Sequence, residues 1–190
     1  QPRSRGLGDV YKRQGVQGRA HARTVVDVLE GVREVSVTFI SRSELADLPH
    51  PWVESGSAEA DEVLGRAGLV VVATSAGEPV VVDRQLRPDA TVLAVGAHTA
   101  DTRELHEDVL RGAQVIVEDV EAARREAGDV AIAVEKGALA WDDVVTMAEI
   151  VRGEVALDPA RRAVFKTVGM PWEDLAVARV VAGQVQAKPR

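Results

Sequence analysis

The amino-acid sequence predicts an α/β protein built on one doubly wound parallel sheet. Three observations carry this. Short, continuous apolar runs recur along the chain, and strands of that kind belong to parallel sheets covered by helices. Stretches with helical apolar spacing lie between the runs. A glycine pair, Gly15 and Gly18, sits where the first helical stretch begins.

The elements follow in order. "GRAHARTVVDVLEG" (Gly18–Gly31) is helical, and "VSVTFIS" (Val35–Ser41) is a β-branched strand. "SAEADEVLGRAG" (Ser57–Gly68) is helical, with Ser57 as its N-cap. "GLVVVATSA" (Gly68–Ala76) and "TVLAVG" (Thr91–Gly96) are strands that run into small residues. "DTRELHEDVLRGA" (Asp101–Ala113) is predicted as a helix capped by Asp101, and "QVIVED" (Gln114–Asp119) as the next strand. Gly31, Gly68 and Gly112 are predicted stops. After Asp119 the chain turns helical in "DVEAARREAG", "GDVAIAVEKG" and "AWDDVVTMAEIVRG", with Asp119 and Asp142 as N-caps. A short "AVFKTVG" and a helix starting at Pro171 close it, proline being suited to a first helical turn.

Composition narrows the function. The 190 residues make one domain, or one and a fraction, and 46% hydrophobic content is enough for a real core. A formal charge of −7 argues against a sequence-independent grip on nucleic acid. The absence of cysteine removes disulfides, thiolate metal sites and a Cys nucleophile, and fits a reducing cytoplasm. No apolar run is long enough to span a membrane. The four histidines have no metal-ligand spacing, so no protein-bound metal is expected. His21 is expected to pack or hydrogen-bond, His50 to lie in a loop and His106 on a helix surface. There is no G-x-S-x-G and no Ser-His-Asp set.

The start of the chain is anomalous. A buried strand should end just before Gly15, yet "DVYKRQ" (Asp9–Gln14) is charged. It matches, residue for residue, the translation of the transposase mosaic-end adapter used in sequencing libraries; the alternative is an unusual natural tail. Residues 1–14 are therefore expected to be non-native and to fill the gap poorly, and the sheet is expected to lack its first strand. The predicted division is 1–14 artefact, 15–150 dinucleotide-binding domain, and 151–190 a C-terminal segment.

With that correction the glycines make sense. In a Rossmann-type sheet Gly15 lets backbone approach a pyrophosphate, and Gly18 lets the helix sit close to the sheet. The free N–H groups from Val16 through Gln17 and Gly18 to Arg19 would then face phosphate. A G-x-x-G alone also occurs at many helix starts. At the tip of the second strand stand Ser41, Arg42 and Ser43, where an NAD-preferring fold usually has a carboxylate. Guanidinium and hydroxyls would bind a ribose phosphate, so NADP(H) is favoured, with NAD(H) the alternative. Otherwise Arg42 is an ordinary solvated loop residue. Thr74, Ser75 and Ala76 leave room at a strand end for a ribose or nicotinamide, or simply form a turn. Gly96 and Ala97 allow close approach in the same way. His98 stands where an acid–base residue could face substrate, although isolated histidines commonly have no catalytic part.

Together "GVQGRAHA", "ATSAGEPVV", "AVGAHTADTRELHEDVL", "AGDV", "EIVRGE" and "VFKTVGMPWEDLAVA" resemble the ornithine cyclodeaminase/mu-crystallin family from Gly15 to about Ala182. The resemblance implies an NAD(P)-binding domain and a homodimer. It also implies a preceding substrate and dimerisation domain, absent here and completed by the C-terminal helices. Cyclodeaminases of the family carry an aspartate and a nearby lysine where this chain has His98 and Thr102. The likeness therefore points to an NAD(P)H-dependent enzyme acting on a small imino or amino acid, such as pyrroline-2-carboxylate or another ketimine, or interconverting oxo and amino acids. The alternatives are an ornithine cyclodeaminase and a non-enzymatic, crystallin-like NADPH-binding protein. Thr74, Ser75 and Gly96 would frame the nicotinamide ribose, His98 would orient substrate or relay a proton, and Val168 and Gly169 would close the nicotinamide pocket. Lys166 reads as a solvated charge. The 190 residues alone are expected to be inactive.

Overall fold

The computed structural model describes residues 7–12, 16–32, 34–44 and 47–186. Eight parallel strands form one sheet. In chain order they are β1 (Leu7–Lys12), β2 (Val35–Ser41), β3 (Trp52–Glu54), β4 (Ala67–Val72), β5 (Thr91–Ala94), β6 (Gln114–Val117), β7 (Val144–Thr146) and β8 (Ala163–Lys166). Their spatial order is β3-β2-β1-β4-β5-β8-β6-β7. The helices are α1 (Val16–Leu29), α2 (Ala58–Arg66), α3 (Glu107–Leu110), α4 (Val120–Glu126), α5 (Gly128–Glu135), α6 (Met147–Val151) and α7 (Pro171–Gln186). This is the predicted Rossmann-type architecture.

The expected gap in the sheet is corrected. Leu7–Lys12 forms β1, paired in parallel with β2 on one side and β4 on the other. A slot between two strands offers unpaired N–H and C=O groups on both walls, and backbone alone satisfies them. Leu7–Lys12 contains no proline, so every residue can donate.

Alternation divides the core between the two faces. Val70 and Val72 of β4 and Val92 and Ala94 of β5 join the larger cluster with Val63, Leu64, Leu105, Leu110 and Val130. Val37, Phe39 and Val71 point the other way, toward Ala22 of α1, with Val25 and Val26 beside them. On that second face Leu93 of β5 and Phe165 of β8 are only half-buried.

Several local expectations hold. Ser57 caps α2 by accepting the Ala60 amide at 3.1 Å, and Asp119 caps α4 by accepting that of Ala122 at 2.7 Å. Gly31 and Gly112 adopt positive φ where their helices stop. Others are corrected. Gly68 is not a stop, because β4 begins directly after α2. The helix expected from Asp101 shrinks to Glu107–Leu110, capped by His106. Glu104 and Leu105 stay outside any helix instead, their amides held by the Asp129 carboxylate, and Leu105 bridges to Val81. Within "AWDDVVTMAEIVRG" the β-branched Val144–Thr146 becomes edge strand β7, and Thr146, not Asp142, caps the helix that follows. β8 inserts between β5 and β6, so part of the C-terminal segment belongs to the sheet.

Candidate functional site

The chain runs outward from β1 through β2 to β3, then crosses back to β4 on the other side of β1. The crevice at the carboxyl ends of β1 and β4 is therefore the topological switch point, where ligands of such sheets bind. Four segments converge there: the start of α1 and the loops after β4, β5 and β8.

Gly15 lies outside the described residues. α1 begins at Val16, which is 85% exposed, and Gln17 beside it is exposed. Gly18 is buried, consistent with a helix drawn close to the sheet. The first turn of α1 carries no acidic side chain, so its N-terminal amides are compatible with an anion. At the tip of β2 the Ser41 hydroxyl donates to the Ser43 carbonyl at 2.7 Å and accepts from the Trp52 indole at 2.8 Å. Its single hydrogen is thus committed, and Arg42 and Ser43 remain exposed on the turn.

The loops after β4 and β5 are fastened by a residue that sequence reasoning missed, Glu104. Its side chain is fully buried. One carboxylate oxygen accepts the Thr74 amide at 2.5 Å and the Thr74 hydroxyl at 2.6 Å. The other accepts the amides of Gly96 at 2.6 Å and Ala97 at 3.2 Å. Thr74 therefore spends its hydroxyl hydrogen inward, leaving Ser75 exposed and Ala76 half-buried at the loop surface. Gly96 is required by contact: a Cβ there would overlap the Thr74 carbonyl and the Glu104 carboxylate. His98 is exposed, and its Nδ1 lies 3.1 Å from the Gly96 carbonyl. A carbonyl only accepts, so Nδ1 is the protonated nitrogen and Nε2 can take a proton.

Lys166 is corrected from a solvated charge to a buried one, 1% exposed at the end of β8. Its ammonium donates to the carbonyls of Ala94 at 3.2 Å, Ala97 at 2.5 Å and Thr167 at 2.9 Å. Asp129, also buried, lies 3.6 Å from it. Burial pushes the Lys166 amine down, against the pull of Asp129 and Glu104. Burial likewise pushes the Glu104 and Asp129 carboxyls up, opposed for Glu104 first by the Thr74 hydroxyl and for Asp129 first by Lys166. The loop after β8 is held by Glu118, which accepts the Thr167 hydroxyl and the amides of Val168 at 3.0 Å and Gly169 at 3.1 Å. The structure thus gathers Thr74–Ala76, Gly96–His98 and Val168–Gly169 at one end of the sheet.

Signals for the missed residues were present. A lysine in the short buried strand "AVFK" and an aspartate in the apolar "GDVAIAV" both break an apolar pattern. Among the described residues no cluster of three or more His, Asp or Glu could hold a metal, and no helix is long and apolar enough to cross a membrane.

Comparison with known proteins agrees with this geometry. The Ornithine cyclodeaminase/mu-crystallin family profile matches residues 13–189. The chain is 34% identical to the ketimine reductase mu-crystallin of Mus musculus over 120 residues, 63% of this chain and 36% of that protein. It is 29% identical to Delta(1)-pyrroline-2-carboxylate reductase 2 of Burkholderia ambifaria over 181 residues, 92% of this chain and 55% of that one. Its fold is similar to that of Thermococcus litoralis Delta(1)-pyrroline-2-carboxylate reductase, solved with NADH and L-proline. The TM-score is 0.78 at 25% identity, covering 93% of this chain and 57% of that one. The chain thus spans about half the length, or less, of these relatives. With the family profile matching nearly end to end, the chain belongs to the ornithine cyclodeaminase/mu-crystallin family.

Proposed function

We propose that the chain is the dinucleotide-binding part of an NAD(P)H-dependent oxidoreductase that reduces a cyclic imino acid of the pyrroline-2-carboxylate or ketimine type, or interconverts oxo and amino acids. The observation that carries this is the convergence of the loops after β4, β5 and β8 beside the entrance of α1, with Gly96, which has no Cβ, letting the loops after β4 and β5 close on Glu104. The named pyrroline-2-carboxylate and ketimine reductases among its relatives support the substrate class.

The residues present fit a nicotinamide dinucleotide. Gly15 to Gly18 would take the pyrophosphate on backbone amides. Arg42 and Ser43 would take a ribose 2′-phosphate, with Ser41 holding the turn in shape, so NADPH is the preferred form. Thr74–Ala76 and Gly96–Ala97 would border the nicotinamide ribose, and Val168 and Gly169 would close that end. A bound reduced nicotinamide supplies hydride. His98 would keep a proton near the substrate nitrogen, its Nε2 available while Nδ1 donates to Gly96. Positioning of the two reactants is expected to supply much of the acceleration.

α7 exposes Trp172, Leu175, Val177, Val180 and Val181, each by more than half. We assign this apolar helix to a second, substrate-binding domain of the dimeric whole protein. The test is NADPH consumption by the whole protein with pyrroline-2-carboxylate, with its oxo-acid and amine counterparts, and with ornithine. Imine-dependent consumption is expected. Ammonia release from ornithine without added reductant would favour a cyclodeaminase, and NADPH binding without any turnover a storage protein.

A further inference from the structure

We propose that Lys166 and Asp129 are positioning residues that hold the nicotinamide end of the crevice, and His98 with it, in shape before any cofactor arrives. This rests on the dinucleotide-binding reading above. The central observation is the backbone of Ala97. Its N–H donates to Glu104 at 3.2 Å and its C=O accepts from Lys166 at 2.5 Å, so two buried opposite charges grip both of its polar groups. His98 is the next residue. Lys166 also takes the carbonyls of Ala94 and Thr167, joining the ends of β5 and β8.

Glu104 is braced from behind. Asp129 Oδ1 accepts the Glu104 amide at 2.7 Å and the Leu105 amide at 2.8 Å. Its other oxygen has no hydrogen bond and stands 3.6 Å from Lys166 Nζ. Three wholly buried charges therefore link the loops after β4, β5 and β8. Stability alone is a poor reason for such a set, because apolar residues of similar volume commonly do as well or better in a core. The position of the charges gives a better reason: every loop they tie borders the crevice.

The residue just before β8 provides a control. Arg162, at the opposite end of the strand from Lys166, is 8% exposed and bonds Asp83 at 2.5 Å and the Arg87 carbonyl at 3.1 Å. It lies at the amino ends of the strands, away from the crevice.

The test titrates the 190-residue chain with NADPH and with 2′-phospho-ADP-ribose, which lacks the nicotinamide. The double variant Lys166→Met/Asp129→Asn removes both charges together. It should lose about tenfold in NADPH affinity, roughly one good contact, while its affinity for 2′-phospho-ADP-ribose stays within about twofold. Arg162→Met should leave the ratio of the two affinities unchanged. Equal weakening of both probes in the double variant, or of neither, overturns the proposal. If the unsubstituted chain binds 2′-phospho-ADP-ribose but not NADPH, the positioning proposal fails alone; if it binds neither, the dinucleotide reading fails first. Should the double variant not fold, amide exchange in the unsubstituted chain decides. Slow exchange at Thr74, Gly96 and Ala97 without ligand supports preformed loops, and exchange as fast as in open turns overturns them.

Discussion

The Gly96 amide donates to Glu104 Oε2 at 2.6 Å, and a side chain on Gly96 would strike the Thr74 carbonyl and that same carboxylate. The close approach and the buried acid are thus one device. Gly96→Ala should destabilise the fold by about 2–3 kcal/mol, the cost of overpacking a site that cannot give. Urea unfolding measures it, and an unchanged midpoint would mean the loop lies elsewhere.

Glu104→Gln tests the carboxylate itself. The amide keeps the shape but turns an NH2 toward backbone donors that need an acceptor. A loss of about 3 kcal/mol is expected, against about 1 kcal/mol for Thr74→Val, which removes one hydroxyl donor. Equal effects in the two melts would contradict the four-donor arrangement.

Acid stability has a definite sign. Glu107 bonds Lys136 at 2.9 Å and pairs with Arg103, and the Lys136 contact is the first cause of its pKa falling from the ordinary 4.5 to about 2. A carboxyl depressed by folding contributes stability that is fully present above its unfolded value. That contribution is lost as pH falls from about 4.5 toward about 2. Glu107→Gln should therefore flatten the stability profile across that window and change its shape little near neutrality. A profile equally steep in both proteins would remove Glu107 from the explanation.

On the proposed reading, Arg42 at the tip of β2 sets the preference for NADPH. Arg42→Ala should weaken NADPH by about tenfold and leave NADH nearly unchanged, since only the former offers a 2′-phosphate. Parallel titrations decide it, and tighter NADH binding by the unsubstituted chain would defeat the role given to Arg42.

Much of the fold was legible because parallel strands write themselves as apolar runs. Val35–Ser41 was read to the residue. Two kinds of feature were not legible. β1 forms from a charged segment because its neighbours supply ladders on both sides, a property of β2 and β4 and not of Leu7–Lys12. The stretch Asp101–His106 has helical spacing, yet Asp129, more than twenty residues onward, takes the Glu104 and Leu105 amides and keeps them out of a helix. The site followed the same division. Glycines and small residues at strand ends were visible locally. The charges that fasten them showed only as breaks in apolar runs, and their roles were not legible, because their partners meet only in the folded sheet. Lys166 looked solvated for that reason.

Nicotinamide fluorescence of NADPH, titrated with the 190-residue chain, bears most directly on the crevice between β1 and β4. Saturable one-to-one binding, displaced by excess 2′-phospho-ADP-ribose, is the predicted result. No saturable binding, or binding that the competitor leaves untouched, would contradict a dinucleotide seated at the entrance of α1.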